Sequence, residues 1–372
     1  MNIKECVDEM QDLKEGAVAK EDIIVDNKIL VKKGSLMTRA VIDKLKNTYL
    51  ERPIIDDIIY EEDLIKNNKI KSLEERILEE EKEIIKKDNE VLKEVEKSLK
   101  SHSESLIKIF DNLKINSKND INDVRIFSKK IIEQLHSPRT IIKNIVLQGS
   151  GSDVVFRHSV NVTALSLFLG KWIGLKENRL NLLMYSAILH DFGKDKIANE
   201  ILLKKDKLNE KEIKEIKKHP IIAYELIKNT PYLDNDVKFG VLMHHERLDG
   251  TGYPLGMKGE QINQFARIIA IADTFDALNS NRIHKSKKNP FEALEIIRKE
   301  ALTKLDFNYS EIFIEHIINY YIGEYVLLNN NKVAKIIHID SNNLSEPLLL
   351  CENDFIDLKK NKKIKIKEII AF

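Results

Sequence analysis

From Glu61 to Lys114 the chain carries neither proline nor glycine and repeats apolar residues at Leu73, Ile77, Ile84, Val91, Val95 and Leu99. Steps of three, four and seven put such side chains on one face of a helix, so the segment is expected as one long amphipathic helix or two. Glu81 and Asp88 fall where a strict heptad needs apolar residues. A helix leaning on its own domain is therefore expected ahead of a two-stranded coiled coil, with a homodimer through 61–119 as the alternative left open. Helical patterns with short connections continue from about Asp120 to Tyr325, with no internal repeat and no strand–helix alternation of the kind a phospho-receiver or dinucleotide domain needs.

The two ends read differently. Near the N-terminus Ile23-Ile24-Val25 and Ile29-Leu30-Val31 are β-branched runs with turn signals at Asp26-Asn27 and Lys33-Gly34, followed by a helical pattern from Thr38 to Leu50. After Gly323, strand-like runs begin at Tyr325, Val333, Pro347 and Ile364, with asparagine-rich turns at 329–331 and 342–343. The 372 residues exceed what one core usually organises. The expected division is a small β-containing module (1–60), a charged helical segment (61–119), a working helical domain (120–325) and a small β-rich appendage (326–372); the fold class is mainly α.

Composition excludes several classes. Sixty-one basic residues against sixty acidic ones remove the field expected of a nucleic-acid coat or a membrane-surface protein, so any anionic ligand must be captured locally. Cys6 and Cys351 form neither a disulfide framework nor a CxxC motif, no apolar run reaches membrane-span length, and the first residues lack the apolar core of a signal peptide. A cytoplasmic setting is expected, with no membrane and no nucleic-acid polymer as partner.

Five of the ten histidines lie between His158 and His245. His158 shares a helical stripe with Val162, Leu165, Leu169 and Trp172, so alone it reads as a satisfied core histidine. A helix through Leu182, Leu183, Ala187 and Ile188 ends in His190-Asp191, a pair that by itself is weak. His219 precedes Pro220 at a helix start, where capping is the simpler reading. His244-His245 adjoin a glycine-rich loop, and Asp273 sits in the apolar run Ile268 to Phe275, where an ionised carboxylate needs a partner or a metal. A shared metal site explains these residues jointly. Five imidazoles and two carboxylates exceed one four-coordinate zinc, so two ions are expected; nitrogen and oxygen donors suit iron or manganese, with zinc less suited and magnesium disfavoured.

At this point the chain resembles the HD-GYP family, a branch of the HD metal-dependent phosphohydrolase superfamily. The matching motifs are His158, His190-Asp191-Phe-Gly-Lys194, His219-Pro220, the block His244-His245-Glu-Arg-Leu-Asp-Gly-Thr-Gly252-Tyr253-Pro254, and Ala266 to Leu278 around Asp273; they cover most of residues 150 to 290. The resemblance implies a helical-bundle domain that opens cyclic di-GMP, a bacterial second messenger, to pGpG and in part to GMP. It implies His158, His190, Asp191, His219, His244, His245 and Asp273 as ligands of two divalent ions, with Asp191 bridging, Lys194 beside the reacting phosphate, and Gly252, Tyr253, Arg282 and Lys285 touching the substrate. Such a pair of ions, ~3.5 to 4 Å apart, holds a bridging hydroxide for in-line attack.

The chain departs from the family pattern in places. Members with a third metal carry an acidic residue one helical turn before the first histidine; here it is Val154, and Asp153 points about 100° away on a helix. Two metals are expected, with pGpG as the main product. Leu248 and Ile283-His284 replace residues commonly Tyr and Pro-Tyr, which alters loop shape and selectivity. The alternatives are an HD-type hydrolase of another cyclic dinucleotide or a mononucleotide, and a non-catalytic cyclic di-GMP receptor.

Overall fold

The computed structural model describes residues 18–19, 23–25, 28–39, 41, 58–59, 69–115, 121–134, 137–150, 156–204, 206–281, 287–352 and 354–370. The chain divides into two compact units: Met1–Asn89 with Leu349–Ile356 and Phe372, and Glu90–Leu348 with Asp357–Ala371. In the smaller unit β1 (Val18–Ala19) pairs antiparallel with β4 (Ile58–Ile59), and β2 (Ile23–Val25) with β3 (Lys28–Val31). The β-branched runs thus form the strands expected of them. The helical pattern from Thr38 to Leu50 lies mostly outside the described residues.

From Lys69 onward the proline- and glycine-free stretch is one helix, α1 (Lys69–Ile115), and its first residues, 61–68, lie outside the described residues. Its Glu90–Ile115 part belongs to the larger unit, where Leu92, Leu99 and Leu106, seven apart, are buried together with Phe110. The expected stripe is met at Leu99 and missed by one residue at Val91. Val91 is 44% exposed and Leu92 takes the inward place, because adjacent apolar residues leave the periodicity unable to choose between them.

The body of the larger unit is helical: α2 (Asn122–Gln134), α3 (Pro138–Gln148), α4 (Phe156–Trp172), α5 (Glu177–Leu189), short α6 (Asn199–Leu202) and α7 (Glu210–Ile216), α8 (His219–Ile227), α9 (Asn235–Met243), α10 (Gln264–Asn279), α11 (Pro290–Ala301) and α12 (Phe307–Tyr321). Helix α4 is central and packs on α5 and α10. Every residue from Arg157 to Gly170 is buried, so the helix is enclosed on all sides and the stripe through His158 marks no special face. Helix α8 packs on the 3-10 turn Phe192–Lys196, and α9 bridges α5, α8 and α10. These contacts bring the ends of α5, α7 and α9 to one side of α4 and α10.

Five further strands follow α12. Within the larger unit β5 (Tyr325–Leu328), β6 (Val333–Asp340), the part of β7 (Asn343–Cys351) up to Leu348, and β9 (Ile366–Ile370) lie in the order β7-β6-β5-β9, with Val326 opposite Ala334 on one side and Ile369 on the other. Alternation buries Val326, Leu328, Ala334 and Ile336 on one face. Arg139 and Lys143 of α3 hold the buried Glu324 at the start of β5, at 3.0 and 2.5 Å. The last strand falls two residues later than its expected start at Ile364, and β8 (Asp354–Asp357) was not expected, because its two aspartates hide the apolar alternation. No described helix is long and apolar enough to cross a membrane.

Candidate metal centre

Three histidines are oriented by one local device. A helix leaves its last carbonyls without intrahelical donors. The Nδ1–H of His190 donates to Ala187 O in the last turn of α5 (2.7 Å), that of His219 to Ile216 O at the end of α7 (2.8 Å), and that of His244 to Val241 O in α9 (2.7 Å). Each bond spans three residues, and each fixes the tautomer so that the Nε2 lone pair faces away from the helix end. His219 therefore does not cap α8; Lys218 stands at that position and its side chain makes no capping bond.

His158, in the first turn of buried α4, lies at the opposite end from that helix's unpaired last carbonyls. Its Nδ1 donates instead to Asp276 Oδ2 on α10 at 2.7 Å. Asp276 also accepts from Asn161 Nδ2 and Ser150 Oγ, both at 2.7 Å. Burial pushes the Asp276 carboxyl up, but His158, Ser150 and Asn161 outweigh it and hold the group below the usual carboxylate range. Three residues earlier on α10, Asp273 places Oδ1 3.1 Å from His158 Nε2 and Oδ2 3.7 Å from His245 Nδ1.

The donors gather into two groups, Asp191 with His219, His244 and His245, and His158 with His190 and Asp273, the atoms of each lying within 4.8 Å of one another. Asp191 stands between them: Oδ2 is 3.6 and 3.5 Å from Nε2 of His158 and His190, while Oδ1 is 3.3 Å from Nε2 of His219. All seven expected ligands are thus brought to one place.

The electrostatics fit divalent cations. Burial, the leading cause, lowers the imidazoles of His190, His244 and His245 and takes His219 to about 4, so at neutral pH they are uncharged donors of lone pairs. Burial raises the Asp191 carboxyl, but Lys194 with His190, His219 and His158 overrides it and holds the group well below the usual range. Nε2 of His190 and Oδ1 of Asp191 are buried and accept no hydrogen bond among the described residues. Nε2 of His219 and Nε2 of His244 face each other at 3.2 Å. Neutral imidazoles whose protons are committed outward, converging on an ionised carboxylate, satisfy these atoms only around cations.

Lys194, in the turn after Asp191, sets its ammonium 2.6 Å from Asp191 Oδ2. The Tyr253 ring stacks on His245 (centroids 4.7 Å apart), and the Lys217 ammonium lies 5.0 Å from the Tyr253 ring centroid. Burial first, then Asp273 and Asp191, push the Tyr253 phenol up, so it stays protonated. Arg282 and Lys285, like Asp153, Val154, Ile283 and His284, lie outside the described residues. Leu248 packs against the apolar cluster of Leu242, Met243, Ile262 and Ala266.

Gly252 has a reason of its own to be glycine. A Cβ there would lie 2.4 to 2.5 Å from Arg247 N, Glu246 Cα and His245 O, so the loop doubles back directly onto the backbone that carries His245.

Three residues were not assigned a role from sequence. Glu246 is 2% exposed and is no ligand; its oxygens accept from the N–H groups of Leu255, Gly256 and Met257 at 2.6 to 3.1 Å and hold the loop beside the histidines. Gly193 admits α8, since a Cβ there would meet His219 O at 2.0 Å. Asp276 anchors His158. The signal for Asp276 was available: a second carboxylate three residues after Asp273 in the same apolar helix faces the same cost of burial. Glu246 and Gly193 gave none, since an acid beside a glycine-rich loop and a glycine after a helix are ordinary.

Residues 141–308 match the model of the HD domain. The cyclic di-GMP phosphodiesterase PdeB of Borreliella burgdorferi is 33% identical over 214 residues, 57% of this chain and 56% of the relative. The 3'3'-cGAMP-specific phosphodiesterase 1 of Vibrio cholerae is 33% identical over 197 residues, 52% of this chain and 45% of the relative. The chain thus spans about half the length of these curated relatives. Among solved structures, Bd1817, an HDG"Y"P protein from Bdellovibrio bacteriovorus, covers 82% of this chain with 96% of its own at a TM-score of 0.51 and 17% identity, a likeness of fold. Residues 141–308 of this chain thus match an HD domain, hold two clusters of donors placed for metal ions, and are similar to cyclic-dinucleotide phosphodiesterases.

Proposed function

We propose that this domain is a phosphodiesterase that hydrolyses cyclic di-GMP with two divalent ions, iron or manganese. One observation carries the reading: two groups of donors meet the opposite oxygens of a single buried carboxylate, Asp191. His158, His190 and Asp273 would hold one ion, and His219, His244 and His245 the other, with Asp191 shared. The substrate follows from the name of the PdeB relative. When bound, the ions supply positive charge for the phosphate oxygens and lower the pKa of water.

The chain's own residues do the rest. Lys194 brings a cation to the reacting phosphate and a proton to the leaving 3′-oxygen. Its ammonium stands 2.6 Å from Asp191 Oδ2, beside the shared ligand. Tyr253, held protonated, donates to the substrate from a ring fixed against His245, and Gly252 keeps that loop close. Arg282 and Lys285 would touch the substrate, where a guanidinium suits a phosphate bidentately. With Val154 in place of an acid, two ions and pGpG as the main product are proposed. The buried free thiol of Cys351 is compatible with a reducing, cytoplasmic setting.

A second reading, a phosphodiesterase for a mixed cyclic dinucleotide, is favoured by the Vibrio cholerae relative and its name. Product-resolved turnover of both dinucleotides by anaerobically purified protein, given Fe²⁺ or Mn²⁺, separates the two. Metal-dependent pGpG from cyclic di-GMP, abolished in Asp191→Ala, is the expected outcome. Turnover confined to the mixed dinucleotide selects the second reading, and none with both metals bound rejects both. Arg282→Ala is expected to raise KM more than it lowers kcat.

A further inference from the structure

A polar chain leads from the surface of α1 to the buried ligand His158. Arg157, immediately before His158 and only 6% exposed, makes a fork-to-fork pair with Glu96 of α1, Nη1 to Oε1 at 3.1 Å and Nη2 to Oε2 at 2.8 Å. Its Nη2 also donates to Asn144 Oδ1 at 2.8 Å and its Nε to Asn161 Oδ1 at 3.1 Å. Asn161, fully buried one helical turn after Arg157, donates from Nδ2 to Asp276 Oδ1 at 2.7 Å, and Asp276 Oδ2 takes the Nδ1 proton of His158. Every member between Glu96 and His158 is buried; the Glu96 side chain is 38% exposed.

The order of donors matters. A carboxamide presents an acceptor on one end and donors on the other. Arg157 Nε occupies the oxygen end of Asn161, which leaves the amino end for Asp276. Nδ2 also reaches Gly149 O at 3.4 Å, so without the Arg157 donor the amide is held from its amino end alone and its buried oxygen loses its partner. A buried guanidinium in turn needs a carboxylate, and Glu96 supplies it in the bidentate geometry that fixes the plane.

We infer that Glu96 and Arg157 are positioning residues for His158, so that the seating of α1 at Glu96 sets how tightly the His158–His190–Asp273 group holds its ion. The inference rests on the reading of His158 as a metal ligand. It assigns the long helix a task beyond packing: the metal centre senses whether α1 is docked.

The test is Mn²⁺ titration of the full-length, chelator-treated protein, with melting curves before and after. Glu96→Gln keeps the shape of the side chain and removes its charge, while Arg157→Lys keeps a charge for Glu96 but removes the Nε bond to Asn161. Both are expected to weaken Mn²⁺ binding about 10-fold at one of the two ions. In both, kcat recovers when Mn²⁺ is raised, a recovery that a merely structural defect does not give. Glu83→Gln, which breaks an exposed pair with Lys87 on the same helix, is expected to bind as wild type. Wild-type Mn²⁺ affinity in both Glu96→Gln and Arg157→Lys overturns the inference. Unchanged Mn²⁺ stoichiometry in His158→Ala would instead remove the ligand reading beneath it.

Discussion

Three imidazoles of the centre, those of His190, His219 and His244, are tied to main-chain carbonyls three residues earlier, whereas His158 is tied to a side chain from another helix. The first arrangement is local. It forms wherever a helix ends at a histidine, and no substitution elsewhere removes the acceptor. The second depends on α4 and α10 meeting in register and on Asp276 being held from both its oxygens. One part of the site is therefore built by secondary structure and another by tertiary packing, and the second is the part that the rest of the molecule can adjust.

Substitutions can break that contrast or sharpen it. The largest effect is expected from Asp276→Asn, which leaves His158 without an anionic acceptor: metal affinity should fall on the order of 100-fold while the pairs formed through carbonyls stay intact, as read by competition with a chromogenic chelator. Gly193→Ala attacks the local device from outside, forcing a methyl onto His219 O; a loss of about 2 kcal/mol in denaturant unfolding is expected, together with a lower metal content. Glu246→Gln should spare the ions and disturb the loop, raising KM for cyclic di-GMP about 10-fold with Mn²⁺ affinity unchanged.

The most gradual is a slope. His219 is lowered by burial from 6.5 to about 4, so as pH falls the unfolded chain takes the proton first. The metal-free protein should lose stability from pH 6.5 down to about 4, by at most one proton's worth, about 1.4 kcal/mol per pH unit, and no further from this group below that. His219→Gln should flatten the curve.

The donors that converge were legible in the sequence as a set rather than one by one, and Asp273 within the apolar run Ile268 to Phe275 is the plainest case. What escaped was the means of support. The bond from Asp276 to His158 joins residues 118 apart, and the approach of Gly193 to His219 depends on how α8 lies over a turn, so neither is written in local spacing. The helices were legible as elements, but not their phase: Val91 and Leu92 are equally apolar, and only contact with the remainder of the domain decides that Leu92 turns inward. The roles given to Arg282 and Lys285 rest on motif position alone.

The 3.2 Å separation of the His219 and His244 ring nitrogens has a thermodynamic consequence. Both protons point outward, so two electron pairs confront each other in a buried space, an arrangement that the folded chain maintains at a cost and that a shared cation turns into attraction. The ions are then ligands of the native state alone, adding RT ln(1 + [M]/Kd) to its stability, about 2.7 kcal/mol at a hundredfold excess over Kd. The melting temperature of this domain should rise with the free concentration of its metal, so that the amount of folded protein in a cell reports metal supply before any substrate is turned over.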